Sequence, residues 1–505
     1  MRVIGRVLLI VIGLAGVLAT GYAWIVASPT GAYPDDDYHQ TSIWCPRPLE
    51  DHCTIWGLDD VGYPIVMVPQ TVDASSVTFA FNKDASAAGL ATLSDDVLQG
   101  TDRVDDGNYP EYFYDAMHLF VGTDVDRSIL VMRWVNFSIA VVLFGAGLLL
   151  LGSPQRRLLM YTLMCGSLPV TIYFTASVNP SSWAFTGVVA LWIGLEGFFA
   201  SHGFRRAGLA IVATLGAVMA ACARTDSAVY CGIVAVAMTI VHFRRTWAKK
   251  SLVILPLITA LIGLGSYLQT TLAPSPVMVS ASEEPLPNPF RLFVSNMYHL
   301  PRFLLHFWDT DLGWFDVPSP RIAGVLLLLV TVLVAGYCFI RSRCDWHKAA
   351  GLVIVGAAVY GLPVVLMQTQ HSYLAVWGFQ ARYVAPLMIV FFGMAMAGSP
   401  RTDPPRLPWW VSIPSLAALM VAHAVLLHTL IRRYITGMDV TGFNLDTTVE
   451  WWRTGGPSPM WTWVIGSVGF AIMSAVFLSA RQPPDPATTS RAVPGSMSTA
   501  DPRSK

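Results

Sequence analysis

Residues 8–40 read LLIVIGLAGVLATGYAWIVASPTGAYPDDDYHQ. The apolar run that ends at Ser28 is long enough to cross ~30 Å of hydrocarbon. Three consecutive carboxylates follow at positions 35–37, with His39 just beyond them. Charges lined up at a bilayer surface are electrostatically costly, so this cluster calls for a function. A general base held at the membrane interface, facing a lipid-linked substrate, would account for it.

The composition of the whole chain is that of a membrane protein. Of its 505 residues, 54% are hydrophobic and 13% are charged, which excludes an ordinary soluble protein. Apolar runs recur along the chain and predict an all-α polytopic membrane protein with about twelve transmembrane helices. We expect these near residues 8–28, 129–152, 158–178, 182–201, 207–223, 228–243, 251–273, 322–340, 349–368, 383–398, 408–431 and 460–480.

Basic residues predict the orientation of these helices. They recur on alternate connections, and short basic loops resist translocation, so those connections are predicted to be cytoplasmic. Both termini then lie in the cytoplasm and the Asp35 cluster lies outside, in a multi-pass protein of the plasma membrane. Only Arg432 and Arg433 disagree, and at an outer helix end their long side chains would snorkel to the interface. The alternating basic positions are Arg2, Arg6, Arg156, Arg157, Arg205, Arg206, Arg244, Arg245, Lys249, Lys250, Arg341, Arg343, Lys348, Arg401 and Arg406.

The chain is predicted to form one membrane domain with two sizeable outer loops. The first helix, 1–28, is expected to be an uncleaved signal anchor, because its apolar run exceeds the roughly 7–15 residues of a signal-peptide core. A small mixed α/β loop domain is expected over 29–128, with strands within 54–91 and a short interfacial helix near Met117. The other predicted segments are helices 2–7 at 129–273, an outer loop at 274–320, helices 8–12 at 321–480, and a disordered cytoplasmic tail at 481–505.

The second outer loop carries an amphipathic pattern. Apolar residues recur at helical spacing over 290–307, which predicts a helix lying in the membrane surface. Trp308, Trp314 and Phe315 are expected in the aromatic belt of the same interface. His299 and His306 of this loop, and His371 after the span at 349–368, are interpreted as interface residues.

Cysteines and acidic residues characterise the first outer loop. Cys45 and Cys53 lie eight positions apart on the oxidising side of the membrane and predict one disulfide. Cys222 and Cys231, near the outer ends of adjacent helices, are a second candidate pair.

Acidic residues are expected on a translocated loop, because basic residues hinder translocation. The alternative is a calcium site built from Asp102, Asp105 and Asp106, although this run lacks an EF-hand pattern.

Several short motifs resemble those of one known family. Pro34-Asp35-Asp36 with His39 is similar to the Pro-Asp-Glu-x-x-His element of a bacterial multi-pass family of unknown function, which is placed in the GT-C glycosyltransferase superfamily. Further matches fall in the same order over about 1–400: Gly107-Asn-Tyr-Pro-Glu-Tyr112, Arg133 with Asn136, Asn179-Pro180, Gly313-Trp-Phe-Asp316 with Pro318, and Gly378-Phe-Gln-Ala-Arg-Tyr383 with Pro386. The departures are Asp36 where Glu is usual, Ser181 where Asp is usual, and Ala381 where Gly is usual.

The resemblance implies a GT-C-like fold and a sugar-transfer reaction. A sugar would move from a polyprenyl-phosphate donor to an envelope glycan or glycolipid acceptor on the outer face, with membrane lipid but no nucleic acid as a partner. Asp35 would take the acceptor's proton. Asp36 would orient a sugar hydroxyl, tune Asp35 or help Asp35 to hold a divalent metal, since closely spaced carboxylates push at least one pKa upward. His39 would hydrogen-bond a carboxylate or the phosphate.

Arginine suits the leaving phosphate, because its planar fork bonds two oxygens and stays charged. Arg382, at the outer end of its helix, is the first candidate for this role, followed by Arg224 and Arg133. The motifs quoted above contain three further candidates for substrate binding, Tyr109, Asp316 and Tyr383.

Other interpretations stay open. Pro34-Asp35-Asp36 also suits a helix end followed by a solvated turn. Arg382 and Arg224 also suit interface anchors, and the 313–316 motif suits a turn in the aromatic belt. For the whole chain, the alternatives are a transporter or flippase of envelope precursors and a non-catalytic envelope-assembly protein. A transporter would show inverted repeats, broken helices and ionisable groups inside the bilayer, of which Glu196 is one of few here.

Overall fold

The computed structural model of the chain describes residues 2–60, 62–166, 168–272, 287–374, 380–398 and 403–479. The predicted tail at 481–505 lies outside these residues. The helices are α1 (Arg2–Ala27), α2 (Asp36–Trp44), α3 (Leu49–His52), α4 (Gln70–Ala74), α5 (Tyr112–His118), α6 (Val125–Leu150), α7 (Ser153–Cys165), α8 (Leu168–Thr175), α9 (Ser181–Ala200), α10 (Gly203–Ala223), α11 (Thr225–Val241), α12 (Phe243–Ala248), α13 (Ile254–Leu272), α14 (Pro289–Leu305), α15 (Arg321–Arg341), α16 (Trp346–Thr369), α17 (Ala381–Met396), α18 (Trp409–Ile435) and α19 (Pro459–Ser479). The strands are β1 (Ile55–Leu58), β2 (Pro64–Pro69) and β3 (Leu98–Thr101).

Helix length and composition fit a multi-pass membrane protein. Nine of the described helices are long and apolar enough to cross a membrane: α1, α6, α9, α10, α13, α15, α16, α18 and α19. The pair α7 and α8, bent by 87°, would make a tenth span if counted as one, and α11 and α17 are apolar but shorter. Each expected span therefore coincides with an apolar helix or helix pair, while the number of about twelve crossings stays a prediction.

Alternate connections between the helices meet at the same end of the molecule. Asp35, which follows α1, contacts Arg382 at the start of α17, and Asn179, which precedes α9, bonds the same loop as Asp35. At the opposite end, Lys348 of α16 donates from Nζ to the carbonyl of Ala397 after α17. We call these the Asp35 end and the Lys348 end. The alternation of basic connections predicted two such ends, and which of them faces the exterior stays a prediction.

The α9 helix is the most enclosed of the candidate spans. In its apolar 18-residue stretch, 89% of the residues are buried, whereas the corresponding value for the span that contains α13 is 22%. Small residues account for this enclosure: a Cβ added to Gly187 would lie 2.5 Å from the backbone nitrogen of Ala220 on α10, and one added to Gly194 would lie 2.6 Å from that of Ala213. Close backbone approach stabilises helix pairs in lipid, where the hydrophobic effect does not drive association.

The loop between α1 and α6 folds around a small antiparallel sheet with its own apolar core. The central strand β2 pairs with β1 on one side and with β3 on the other. Val66 and Val68 alternate along β2 and pack with Phe113 of α5 in this core. A disulfide joins Cys45, after α2, to Cys53, after α3. The loop is therefore a compact unit that sits on the Asp35 end.

The structure corrects part of the predicted strand pattern. Residues 77–81 lie in the region predicted to form strands, but Val77 and Thr78 belong to a short 3₁₀ turn (Ser76–Thr78), and β3 lies beyond the predicted 54–91 region. Phe79 is buried against the ring of Tyr434, so its apolar character reflects contact with α18 rather than sheet pairing. The helix expected near Met117 is α5.

Three residues assigned to the membrane interface are buried instead. Arg432 and Arg433 do not snorkel, because both donate to main-chain carbonyls near the C-terminus of α18. Arg433 also pairs with Asp316. Trp314, expected in the aromatic belt, is 7% exposed and donates from Nε1 to Gly31 O at 2.8 Å. These side chains join α18, the 313–316 turn and the loop after α1.

Candidate functional site

The carboxylate cluster forms the turn into α2. Asp35 is the N-cap residue and has a φ of 62°, in the left-handed region that costs most non-glycine residues strain but that Asp tolerates. Asp36 is the first helical residue, and its Oδ2 accepts a hydrogen bond from Tyr33 N at 3.0 Å. The side chain of Asp35 is partly exposed, whereas Asp36 is completely buried. Adjacent carboxylates therefore occupy very different surroundings.

Asp35 is paired with Arg382, which lies 347 positions further along the chain. Arg382 Nη2 is 3.1 Å from Asp35 Oδ2, and the side chains are 2% and 39% exposed, respectively. Because Arg382 is the second residue of α17, the start of that helix fixes the position of the guanidinium. The structure thus brings together the residues that the sequence analysis placed first for the base and for the phosphate.

Arg382 stands among aromatic rings and keeps unused hydrogen-bond donors. The guanidinium carbon lies 5.1 Å from the ring centre of Tyr383, 5.5 Å from that of Phe315 and 5.6 Å from that of Phe174. Nε and Nη1 are buried and have no hydrogen-bond partner in the part of the chain that the structure describes. Buried polar atoms are usually paired, so this arrangement favours an anionic ligand.

A cavity of about 370 Å³ lies against Arg382. Small-molecule sites typically measure ~300–1,000 Å³, so this volume is sufficient for a ligand. One wall is the start of α17. The opposite wall is formed by His299 and Arg302 of α14 and by His306, the residue that follows this helix. Their spacing of three and four positions places all three on one face of the helix.

These cavity residues on α14 were missed by the sequence analysis. The apolar periodicity over 290–307 located the helix, and α14 confirms it. His299, Arg302 and His306 recur at the same helical spacing on another face of this helix. That polar spacing is the sequence pattern from which the cavity wall could have been predicted. His299 and His306 were instead interpreted as interface histidines, and Arg302 was given no role.

Asp36 is a buried carboxyl beside the partly exposed one. Burial raises the pKa of Asp36 to about 7, and the positive charge of Arg133 opposes that rise. Repulsion by Asp35 and Asp37 contributes less than burial, although it is the cause that the sequence suggested. Its Oδ1 has no hydrogen-bond partner among the described residues. A carboxyl with this pKa can gain or lose a proton near neutral pH, which suits a role in adjusting the proton affinity of Asp35.

His39 is buried among tyrosines. Its Nδ1 lies 3.0 Å from Tyr114 Oη, and its ring meets that of Tyr109 edge-to-face at 5.2 Å. Burial, helped by the charges of Arg224 and Arg382, holds the pKa of His39 well below its usual range. The imidazole is therefore neutral, and its partner is a phenol rather than the carboxylate or phosphate that the resemblance implied. This geometry supports a positioning role.

Arg224 forms a stack with tyrosines beside the Asp35–Arg382 pair. Its guanidinium carbon lies 3.9 Å from the ring centre of Tyr383 and 5.7 Å from that of Tyr109. Its Nε and Nη2 donate to the two carboxylate oxygens of Asp226, at 3.0 and 3.1 Å. Burial raises the pKa of Tyr109 to about 12. Arg224 gives two of its nitrogens to one carboxylate, whereas Arg382 gives only Nη2 to Asp35, so Arg224 fits the support of Tyr383 better than a phosphate contact.

Arg133 and Asp316 occupy structural positions. Arg133 is completely buried, and its two terminal nitrogens donate to three main-chain carbonyls where α1 ends. Asp316 accepts from Trp314 N at 3.0 Å and pairs with the buried Arg433 at 2.6 Å. Direct substrate contact requires access that neither side chain has. We therefore revise the expectation for both residues: they hold the loop and the 313–316 turn in place.

The alternative metal and disulfide sites are not formed as the sequence suggested. Among the described residues, no group of three or more His, Cys, Asp or Glu side chains is placed to hold a metal ion. Asp105, a ligand in the calcium alternative, instead accepts from Tyr38 Oη at 2.8 Å and lies 3.5 Å from Arg47. Cys222 and Cys231 are free thiols. A divalent metal at Asp35 and Asp36 stays a prediction.

Comparison with known proteins assigns the chain to a family. Residues 18–391 match the family described as Predicted membrane protein (DUF2142). The chain belongs to this family. The matched region of the DUF2142 member contains Asp35, Arg382 and α14, and it ends within α17, before α18 and α19. No curated protein matches the chain significantly. Membership establishes a family of membrane proteins of unknown function, while the placement in the GT-C superfamily stays a prediction.

Proposed function

We propose that the protein transfers a sugar from a polyprenyl-phosphate carrier to an envelope glycan or lipid acceptor. The observation that carries this proposal is the Asp35–Arg382 pair beside the 370 Å³ cavity. A partly exposed carboxylate and a buried arginine with unused donors are the two groups that such a transfer needs side by side. The resemblance to GT-C enzymes supplies the class of donor.

The reaction requires one proton acceptor and one stabiliser of negative charge. The acceptor hydroxyl oxygen attacks the anomeric carbon while the bond from that carbon to the phosphate oxygen breaks, and the carrier leaves as polyprenyl phosphate. Asp35 takes the hydroxyl proton. Arg382 stabilises the charge that the phosphate gains. Its guanidinium reaches Asp35 through Nη2 and adjoins the cavity, so it connects the base with the leaving group.

The surface of α14 supports a lipid-linked donor. The helix lines the cavity with polar residues, and elsewhere on its surface it exposes large apolar side chains, among them Phe290, Phe293 and Tyr298. A helix with one polar and one apolar face of this kind lies in the plane of a bilayer interface. The cavity would then be at the depth of lipid phosphate groups, within reach of a carrier whose chain stays in the membrane.

Transfer by the full-length protein in proteoliposomes tests the proposal. A polyprenyl-phosphate sugar with a labelled sugar is supplied together with envelope acceptor fractions, and labelled product is measured. Asp35→Asn should abolish product formation. The matched control is Asp37→Asn, the same change two positions away in a residue paired with Arg103 at 2.9 Å, and it should retain transfer. If labelled donor crosses the bilayer unchanged in wild type and Asp35→Asn alike, with no product, the flippase alternative replaces this proposal.

A further inference from the structure

We propose that α14 supplies the second half of the phosphate site, in which Arg302 binds the same phosphate group as Arg382. The identity of the carrier rests on the proposed function, whereas phosphate binding can be measured without any transfer. Arg302 lies one turn after His299 and one turn before His306 on the face that lines the cavity. Arg382 lines the same cavity from α17.

The pairing of charges leaves Arg302 available for a ligand. In the described part of the chain, no carboxylate forms an ion pair with Arg302. Asp311, the carboxylate that lines the cavity, accepts instead from Ser319 N at 2.8 Å. Arg382 has Asp35 as its counter-ion and still keeps two nitrogens without a hydrogen-bond partner among the described residues. Two arginines thus line one cavity together with the carboxylate of Asp311, and among the described residues only Arg382 forms an ion pair, with Asp35.

The wall formed by α14 is held in position before a ligand arrives. Asn288 caps the helix by accepting from the backbone nitrogens of its first turn. Asn296 donates from Nδ2 to Ser372 O at 3.2 Å and accepts from Leu374 N at 2.7 Å. Leu374 itself lines the cavity. Holding the start and the middle of the helix in this way lowers the entropic cost of ligand binding.

The charge change during transfer explains why two arginines would be needed. A sugar linked to a carrier by a phosphodiester carries one negative charge on the phosphate. The departing carrier is a phosphomonoester, which carries about −1.5 to −2 at pH 7. One arginine therefore matches the donor, and the second matches the charge that appears as the sugar leaves. Arg302 should accordingly contribute more to binding a monoester than to binding a diester.

Binding of farnesyl phosphate to the purified full-length protein tests this inference. Arg302→Gln should weaken binding about ten-fold or more, as expected for the loss of one charge-assisted interaction. Arg302→Lys should recover part of the affinity, because it keeps the charge but not the fork. The matched control is Arg291→Gln, which removes an exposed arginine from the same helix but not from the cavity wall, and its affinity should be unchanged.

Three further comparisons identify the ligand, the charge that Arg302 recognises and the partner residue. Inorganic phosphate and farnesol separate a lipid-phosphate site from a free-phosphate site, and only farnesyl phosphate should bind tightly. Farnesyl methyl phosphate, a diester, should lose less affinity in Arg302→Gln than farnesyl phosphate does. If the two arginines hold one phosphate, the double variant with Arg382→Gln should lose less affinity than the product of the two single losses.

The outcomes separate this inference from the proposed function. Equal affinities of Arg302→Gln and Arg291→Gln would make Arg302 an interface anchor and overturn the inference, while transfer that depends on Asp35 would still stand. Conversely, binding that depends on Arg302 together with no transfer of any sugar would leave the phosphate site in place and remove the transferase proposal.

Discussion

Arg433 and Arg382 are buried arginines with aspartate partners at the Asp35 end, and Arg382 lines a cavity. Arg433 is completely buried, and both of its terminal nitrogens are bonded to main-chain carbonyls or to Asp316. Asp316 in turn accepts from Trp314 N. Arg382 is as deeply buried, but its partner Asp35 is partly exposed and two of its nitrogens have no hydrogen-bond partner in the described ranges.

The difference shows what distinguishes a structural ion pair from a site. The closed pair joins α18 to the 313–316 turn, in which Gly313 has a φ of 62° and a Cβ at Gly313 would lie 2.6 Å from Asp316 Oδ1. Both terminal nitrogens of Arg433 are bonded and only its Nε has no partner in the described ranges, so this pair contributes to folding. The open pair lies against a cavity and leaves two nitrogens of Arg382 without a partner in those ranges, so it can still bind a ligand. The same two residue types thus have different consequences because of what surrounds them.

Breaking the closed pair should have the largest effect. Asp316→Asn leaves Arg433 buried without a counter-charge and should lower the free energy of unfolding by about 3–5 kcal/mol. Thermal unfolding in detergent, followed by near-UV circular dichroism, measures the change. Asp35→Asn is the comparison: it also removes the counter-charge of a buried arginine, but Asp35 is 39% exposed and the pair is in contact with solvent, so the loss should be smaller. Equal destabilisation by both variants would remove the distinction between the two pairs.

Neutralising the open pair should affect catalysis instead. Asp35→Asn removes the proton acceptor without changing the side-chain volume much, and the transfer rate should fall by ~10²–10⁴-fold. Initial rates are normalised to the amount of folded protein. On that basis, the folded fraction of Asp316→Asn should transfer sugar at the wild-type rate. Near wild-type transfer by Asp35→Asn would show that Asp35 is not the base.

Substitution of Arg382 should produce a graded loss. Arg382→Lys keeps the charge but loses the two-pronged geometry, and Arg382→Gln loses both. Transfer should therefore decrease from wild type to Lys to Gln, by at least ~10-fold for Gln if the interaction with phosphate contributes ~1.5–3 kcal/mol. The measurement is kcat/KM for the donor. An unchanged rate in a folded Gln variant would reduce Arg382 to a structural residue.

The smallest expected effect concerns Asp36 and the pH dependence of stability. The pKa of Asp36 is raised from 3.8 to about 7 in the folded state. Between those pH values the folded state binds more protons than the unfolded state, so this group lowers the free energy of unfolding as pH rises. Asp36→Asn is neutral throughout and should be more stable than wild type at pH 8. The difference in melting temperature should shrink as pH falls towards 4, and a difference independent of pH would contradict the raised pKa.

Hydropathy and helical spacing determined much of the architecture. The apolar runs located the long helices, because membrane insertion depends on the composition of about 20 consecutive residues. The apolar spacing over 290–307 located α14, because side chains three and four positions apart share one face of a helix, and the spacing of Cys45 and Cys53 identified the pair that the structure joins. Each of these properties is local, so a window of sequence contains it. The short strands were harder, because single apolar residues such as Phe79 are buried by distant helices.

Only the tertiary structure decided which charged residues meet. Asp35 and Arg382 are 347 positions apart, and the contact between Arg433 and Asp316 joins residues 117 positions apart. The sequence ranked Arg382 above Arg133 by its motif and helix position, but the reason for that order is spatial. Arg133 donates from both terminal nitrogens to the carbonyls where α1 ends, whereas Arg382 lies against a cavity and has one terminal nitrogen without a partner among the described residues. Ion-pair partners depend on how helices distant in sequence pack together, and no local pattern encodes that arrangement.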